Sequence, residues 1–264
     1  MDLHKVKTIV QKEWAEVFKN RMVLFSVIFL PLIFTALPLV ILFATRDVGV
    51  SELDTEMPAQ FAQLCSAELT GGECFQVYMT SQMMLLFMMM PLIIPVNIAA
   101  YSIVGEKTTH SLEPLLATPI TTGELVTGKN LSAVIPAVIA TWLSFGLYAI
   151  GAMLIVPSGA LLKALFDAMW LLAVLLLGPL LAVLSVNFSI MVSSRVNDPR
   201  VAEQLSTVVI LPLMALFLGQ IFGLFFINTT LILWAAVITL LIDAIVLYLA
   251  VKLFQRETIL TRWK

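Results

Sequence analysis

Six long apolar stretches dominate the pattern of hydrophobic and polar positions along the chain. Each is long enough to cross the hydrocarbon core of a bilayer as a helix, which takes about 20 residues. They cover residues 22–44, 79–104, 131–156, 168–192, 205–227 and 231–251. Helices are favoured because they satisfy their own backbone hydrogen bonds, and no stretch alternates like a membrane β-strand. The pattern predicts an all-α membrane protein with a six-span transmembrane domain over residues 22–264.

The first 21 residues show a different helical pattern. Their apolar residues are three and four positions apart, as on one face of a helix, and charged residues lie opposite. The apolar positions are Leu3, Val6, Val10, Trp14, Val17 and Phe18. Residues 1–21 are predicted to form an amphipathic interfacial helix at the membrane surface. Two roles stay open for it, a simple membrane anchor and a coupling element.

Composition and charge agree with this architecture. The chain is 60% hydrophobic and 12% charged, far more apolar than a soluble domain. The six spans place thirteen of the 15 Lys and Arg residues on one side and leave Arg46 and Lys163 on the other. Because basic loops are retained in the cytoplasm, both termini are predicted to be cytoplasmic. The predicted surroundings are a lipid bilayer, and no basic surface indicates a nucleic-acid partner.

The largest predicted outer loop, residues 45–78, holds both cysteines. In this orientation Cys65 and Cys74 lie in an oxidising compartment, where disulfides form. A disulfide between them would stabilise the loop by roughly 2–3 kcal/mol, because it restricts the unfolded chain. Two free thiols are the alternative.

One acidic residue, Asp243, lies in the middle of the sixth apolar stretch. An ionised carboxylate at this depth is costly unless it is neutral, paired or in contact with water. Two interpretations stay open. Asp243 either belongs to a substrate or ion path together with Asn97 and Gln220, or makes a structural hydrogen bond to one of those two side chains.

Little in the sequence indicates chemistry carried out by the chain itself. There are two histidines, and no cluster of His, Cys and carboxylates that would hold a metal or assemble a nucleophile with its base. Residues 123–130 imitate a phosphate-binding loop but end in Asn130, where Ser or Thr must reach Mg²⁺. We predict no enzymatic activity, no metal site and no cofactor on this chain.

The segment between the second and third stretches, residues 105–129, is the most distinctive part of the sequence. Leu112, Leu115 and Leu116 share one face of a short helix that ends before Pro119. Thr121 and Glu124 have the spacing of a capping box, which would start a second short helix. The segment is predicted to be a cytoplasmic helical elbow whose exposed leucines need a partner.

This segment closely resembles the signature of the type-2 ABC exporter permeases. In that signature a Glu-Lys or Glu-Arg pair precedes a Leu-Glu-x-Leu-Leu-Ala-Thr-Pro-Ile stretch and a later Gly-Lys pair. The matching positions are Glu106-Lys107, residues 112–120 and Gly128-Lys129. The resemblance extends over the whole chain and looks closest to the NatB-like sodium and drug efflux permeases, with a departure at residues 108–111.

The resemblance implies a permease subunit that moves a substrate out across the inner membrane of a prokaryote. A separate ABC ATPase subunit would bind ATP and Mg²⁺, and a second copy of the permease would complete a homodimer. The elbow would contact the ATPase through the coupling residues Glu106, Glu113, Leu115, Leu116 and Pro119. The first and fifth spans would form the dimer seam, where the spacing of Gly219 and Gly223 permits close helix approach.

An ATP-independent secondary carrier is the alternative function. It would use Asp243 as an ion site but would leave the elbow unexplained. A membrane scaffold without transport activity is a third reading. Sodium, drugs, lipids and peptides all stay open as substrates.

Overall fold

A computed structural model describes residues 2–46, 69–108, 120–224 and 227–253 of the chain. These residues contain no β-strand, so the predicted all-α fold is confirmed for them. In chain order the α-helices are α1 (Leu3–Val17), α2 (Arg21–Ala44), α3 (Gly71–Phe87), α4 (Met90–Thr108), α5 (Thr122–Ile155), α6 (Gly159–Leu165), α7 (Ala168–Leu172), α8 (Gly178–Ser193), α9 (Pro199–Ser206), α10 (Leu211–Ile221) and α11 (Thr229–Leu253). A π-helix (Ala173–Leu177) joins α7 to α8, and a 3₁₀-helix (Thr207–Ile210) joins α9 to α10.

Six helical units of the described residues are long and apolar enough to cross a membrane. The predicted number of spans is therefore confirmed, and the chain is a multi-pass membrane protein. Spans 1, 3 and 6 are the single helices α2, α5 and α11, whereas spans 2, 4 and 5 are the composite units α3–α4, α6–α8 and α9–α10. Because the number is even, the chain enters and leaves the bundle on one side. We call this side, where α1 packs, the α1 end.

A proline follows one break in each of the composite spans. Proline has no backbone N–H and cannot donate to the carbonyl four residues earlier, so it is best placed in the first turn of a helix. Pro91, Pro179 and Pro212 occupy the first turns of α4, α8 and α10, each directly after an irregular segment. Pro31 and Pro136 instead lie inside helices that continue past them.

Helix α4 occupies the centre of the bundle. It packs against α2, α5, α8 and α9, and against α1 at the α1 end. Its apolar side chains are buried, among them Leu92, Ile94, Ile98 and Ile103. The surrounding helices α2, α5 and α11 keep many large apolar side chains exposed, as helices do when they face lipid.

Helix α1 packs against α5 and α4 of its own chain. Its buried residues recur at helical spacing and are Val6, Ile9, Val10, Glu13 and Val17. Leu3 is exposed and Trp14 is half-buried, so the buried face differs from the predicted apolar face at both positions. The difference arises because the bundle, rather than lipid, covers much of this helix. Its position at a membrane surface stays a prediction.

Several boundaries differ from the predicted ones: span 4 begins at Gly159 rather than at residue 168, span 5 covers Pro199–Ile221 rather than residues 205–227, and two other boundaries are set by capping boxes. Thr70 and Glu73 form a capping box that starts α3 at Gly71, so span 2 takes the last part of the predicted outer loop 45–78. The predicted capping box of Thr121 and Glu124 is present, but it starts the continuous helix α5 of 34 residues rather than a short helix. No proline interrupts the polar first turns of α5 before the apolar stretch begins.

Candidate functional site

Four charged side chains and one serine form a network at the α1 end, which we call the charge cluster. Its members are Lys12 and Glu13 of α1, Ser102 and Glu106 of α4, and Lys129 of α5. Lys129 lies at the centre, with Nζ 2.9 Å from Glu13 Oε1 and 2.7 Å from Glu106 Oε2. It also donates to Ser102 Oγ at 2.8 Å. Ser102 donates to the second oxygen of Glu13, and Lys12 Nζ lies 2.5 Å from Glu106 Oε1.

The charge cluster is buried and electrically balanced. The side chain of Glu13 is 2% exposed and those of Glu106 and Lys129 are 3% exposed, whereas Lys12 reaches the surface. Removing charges from water is strongly unfavourable unless opposite charges and hydrogen bonds compensate. Two lysines and two glutamates supply that compensation. The three helix segments are therefore held in one relative arrangement by charges that cannot separate without loss of stability.

Helix geometry brings the cluster together from distant parts of the chain. Ser102 and Glu106 are four residues apart and share one face of α4. Glu13 lies on the buried face of α1, one turn from both Ile9 and Val17. The apolar neighbours on α1 exclude water, which strengthens the ion pairs beneath them.

A glycine allows α1 and α5 to come close beside the cluster. Gly128 precedes Lys129 and faces Ile9 of α1. A Cβ atom at Gly128 would lie 2.7 Å from Ile9 Cγ2 and 2.9 Å from Ile9 Cβ, which is closer than carbon atoms pack. The Gly-Lys pair thus combines two functions, close approach of the helices and a central cation.

Further hydrogen bonds fix α1 along the start of α5. The backbone N–H of Asp2 donates to Glu124 Oε1 at 2.8 Å, and Glu124 also closes the capping box of α5. Near the other end of α1, the indole N–H of Trp14 donates to the carbonyl of Ser132 at 2.9 Å. Helix α1 is therefore attached to α5 at both ends and, through Lys129, in between.

The charge cluster flanks the predicted coupling elbow. Glu106 lies shortly before the end of α4 at Thr108, and Lys129 lies in the second turn of α5. The segment between these helices includes residues 109–119, which lie outside the described residues. The predicted coupling residues that fall there are Glu113, Leu115, Leu116 and Pro119. Of the predicted coupling set, Glu106 alone falls among the described residues, and there it belongs to the charge cluster.

The structure does not bring the predicted path residues together. Asp243 lies on α11, which packs mainly against α8, and it is 6% exposed. Neither of its carboxylate oxygens has a hydrogen-bond partner among the described residues, so the predicted structural bond to Asn97 or Gln220 is absent. Gln220 is buried on α10, and Asn97 is half-buried on α4. A role of Asp243 in transport stays a prediction.

The two glycines of the predicted dimer seam do not share a helix face. Gly219 is buried within α10. Gly223 follows the end of α10 and has φ of 67°, a left-handed conformation that terminates helices. The backbone N–H of Leu224 then donates to the carbonyl of Gly219 at 2.9 Å. The helix-packing interpretation of this pair is wrong because Gly223 ends the helix; the dimer seam itself stays a prediction.

Of the two cysteines in the predicted disulfide, Cys74 belongs to the described residues. Cys74 lies in the first turn of α3 and is buried, with 5% of its surface exposed. Cys65 lies outside the described residues, so the pairing with Cys74 stays a prediction.

Sequence reasoning missed three members of the charge cluster, namely Lys12, Glu13 and Ser102. One signal for Glu13 was present, because it shares the helical spacing of Ile9 and Val17 on an otherwise apolar face. The imitation of a phosphate-binding loop at residues 123–130 is helical, and its lysine is already held by two carboxylates. That segment therefore lacks the loop geometry on which phosphate binding depends.

One of two comparisons with known proteins found a match, and it agrees with this architecture. A search of curated proteins found no match. A family model described as ABC-2 family transporter protein matches residues 7–245, which include five members of the charge cluster and all six spans up to the middle of α11. The chain therefore belongs to the ABC-2 family of transporter proteins and is a membrane-embedded permease component of an ABC transporter.

Proposed function

We propose that this chain is the transmembrane subunit of an ATP-driven exporter and works with a separate ABC ATPase subunit. In this proposal the α1 end faces the cytoplasm of a prokaryotic cell, and two copies of the chain form the permease. The charge cluster carries the proposal, because it joins α1, α4 and α5 where the elbow leaves and re-enters the bundle. Family membership supports the permease role.

The charge cluster makes the three helix ends move as one body. Separating Lys129 from either glutamate would leave a charge buried without its partner, and such a separation costs about 3–5 kcal/mol. A displacement of the elbow is therefore passed on to α1, α4 and α5 together. Helix α4 extends this displacement into the centre of the bundle through its contacts with α2, α8 and α9.

The ATPase would act on this body through the elbow. Glu113, Leu115, Leu116 and Pro119 supply its contact in the proposal. ATP binding closes the ATPase subunits and favours one of two arrangements of the bundle, and hydrolysis restores the other. ATP shifts this equilibrium only as far as its affinity differs between the two arrangements.

The experiment uses the complex of this chain with the ABC ATPase that co-purifies with it, reconstituted in liposomes. Replacing Glu113 and Leu116 together by Ala should lower ATPase stimulation by the permease about tenfold or detach the ATPase, in line with typical coupling free energies. Gln11→Ala, at an exposed position on α1, is the control and should leave both properties unchanged. Unchanged stimulation and co-purification in the elbow variant would refute the assignment.

An ATP-independent carrier is the second candidate function, and the unpartnered carboxylate of Asp243 favours it. Asp243→Asn should then fold and accumulate normally but lose transport. Full transport by Asp243→Leu would refute the carrier function. The two functions differ in their energy source. Transport that continues in vesicles without ATP would support the carrier.

A further inference from the structure

A cavity of about 350 Å³ at the α1 end is lined by residues that do not belong to the charge cluster. It lies between the start of α2, the middle of α4 and helix α9. Its polar lining consists of Arg21, Ser26, Asn97, Tyr101 and Glu203. Val23 and Phe25 supply an apolar wall, and Phe25 is 60% exposed. One cavity therefore offers charged groups, neutral hydrogen-bonding groups and an apolar surface.

The two charges of this cavity do not neutralise each other. Among the ion pairs of the described residues, none joins Arg21 to Glu203. Glu203 is half-buried on α9, and Arg21 is the first residue of α2. A cation and a carboxylate thus line one cavity without pairing to each other, which suits a ligand that carries both opposite charges.

The position of the cavity defines the shape of such a ligand. Arg21 is the first residue of α2 and precedes the first membrane span, which begins at Val23. A basic residue at this position is expected at the level of the lipid headgroups. Phe25 follows one turn deeper, so an apolar tail can lie along this helix below a polar headgroup. A water-soluble zwitterion would leave this apolar wall uncovered.

We propose that this cavity binds the headgroup of a zwitterionic amphiphile. The guanidinium of Arg21 binds the anionic group in a forked geometry that suits phosphate. The carboxylate of Glu203 accepts hydrogen bonds from the ammonium group, and the amide of Asn97 can donate or accept beside them. The ligand is either a lipid of the surrounding bilayer or the substrate that the protein transports. The second possibility rests on the proposed export function.

Binding is measured with the purified full chain in a non-ionic detergent, without any ATPase. The probes are phosphatidylethanolamine, which is zwitterionic, and phosphatidylglycerol, which is anionic, each with a fluorescent label on an acyl chain. Fluorescence anisotropy reports their affinity. Arg200→Gln is the control, because Arg200 is an exposed cation on α9 that does not line the cavity.

The two charges predict different patterns for the two probes. Arg21→Gln should weaken the binding of both lipids about tenfold. Glu203→Gln should weaken the binding of phosphatidylethanolamine about tenfold and leave the binding of phosphatidylglycerol unchanged. Both losses correspond to one hydrogen bond to a charged group. Arg21→Lys keeps the charge without the fork and should give a smaller loss. Equal binding of phosphatidylethanolamine to wild type and Glu203→Gln would overturn the proposal, as would failure of wild type to bind it.

A second measurement separates the two sources of the ligand. In vesicles that also contain the ATPase, transfer of the labelled phosphatidylethanolamine between leaflets on addition of ATP identifies it as cargo. Binding without transfer identifies a resident lipid and keeps the site. Because the affinity measurement contains no ATPase, a failure of this inference is distinguishable from a failure of the export function.

Discussion

At the scale of single residues, Lys129 determines the stability of the charge cluster. It contacts both glutamates and Ser102, and its side chain is only 3% exposed. Lys129→Gln should destabilise the chain by about 3–5 kcal/mol, because two buried carboxylates then share one remaining lysine. Thermal unfolding of the purified chain in detergent measures this loss. Lys163→Gln, at an exposed position on α6, is the matched control and should change stability by no more than about 0.5 kcal/mol.

A double variant tests whether charge balance is the cause. Glu106→Gln combined with Lys129→Gln leaves one lysine and one glutamate, so the cluster stays neutral. The double variant should then be more stable than the sum of the two single losses predicts, by about 1–3 kcal/mol. Strictly additive losses would mean that the side chains act independently and that balance is irrelevant.

The residues of the cluster show what a single sequence can and cannot predict. The sequence drew attention to Glu106 and to the Gly128-Lys129 pair, because both belong to a motif that resembles a family signature. Glu13 was not marked, because its partner Lys129 is 116 positions away and only the packing of α1 on α5 brings the two together. Periodicity shows which face of a helix is buried, but it does not identify the helix that covers that face.

At the scale of helices, the contact between α1 and α5 depends on the missing side chain of Gly128. Gly128→Ala should destabilise the chain by about 1–3 kcal/mol, because the new methyl group collides with Ile9 near the α1 backbone. Gly123→Ala is a matched control in the same helix, since a Cβ atom there meets nothing within 4 Å. It should be neutral or stabilising by up to about 1 kcal/mol, owing to the higher helix propensity of alanine. Unfolding temperatures of both variants give the comparison.

A compensating change verifies that the collision is with Ile9. Gly128→Ala together with Ile9→Ala should lose less stability than the two single variants added together, because the shortened side chain gives the methyl group room. If the losses simply add, the sensitivity of Gly128 has another cause.

Helix boundaries were predictable where local signals decide them and not elsewhere. The capping box of Thr121 and Glu124 was visible in the sequence and is present. The turn before Pro91, the π-helix before Pro179 and the 3₁₀-helix before Pro212 divide three spans, although hydropathy shows each span as one apolar stretch. Hydropathy measures compatibility with lipid and contains no information about backbone hydrogen bonds within the stretch.

At the scale of the whole molecule, the distribution of basic residues predicts the orientation in the membrane. Thirteen of the 15 Lys and Arg residues belong to the side of the α1 end when the six spans are followed in order. A green fluorescent protein at the C-terminus should therefore fluoresce in a bacterial host, and alkaline phosphatase joined after Lys163 should be active outside the cytoplasm. Fluorescence and phosphatase activity in intact cells provide the measurement.

The opposite pair of results, a dark C-terminal fusion and an inactive phosphatase, would reverse the orientation. It would place the charge cluster outside the cell, beyond the reach of any ATPase. The number of spans would stand, since it rests on helix lengths and hydropathy alone.

The interruption of span 2 between Phe87 and Met90 separates the helical bundle into two layers, one around α4 and one around α3, that can move differently. Helix α4 is anchored to the charge cluster, whereas α3 packs against α2, α6 and α10 on the far side of the break. A tilt imposed from the α1 end can be absorbed at this joint, so the far layer can hold its shape while the near layer moves. A binder selected against the far face would then recognise resting and working molecules alike, and would serve as a neutral marker rather than an inhibitor.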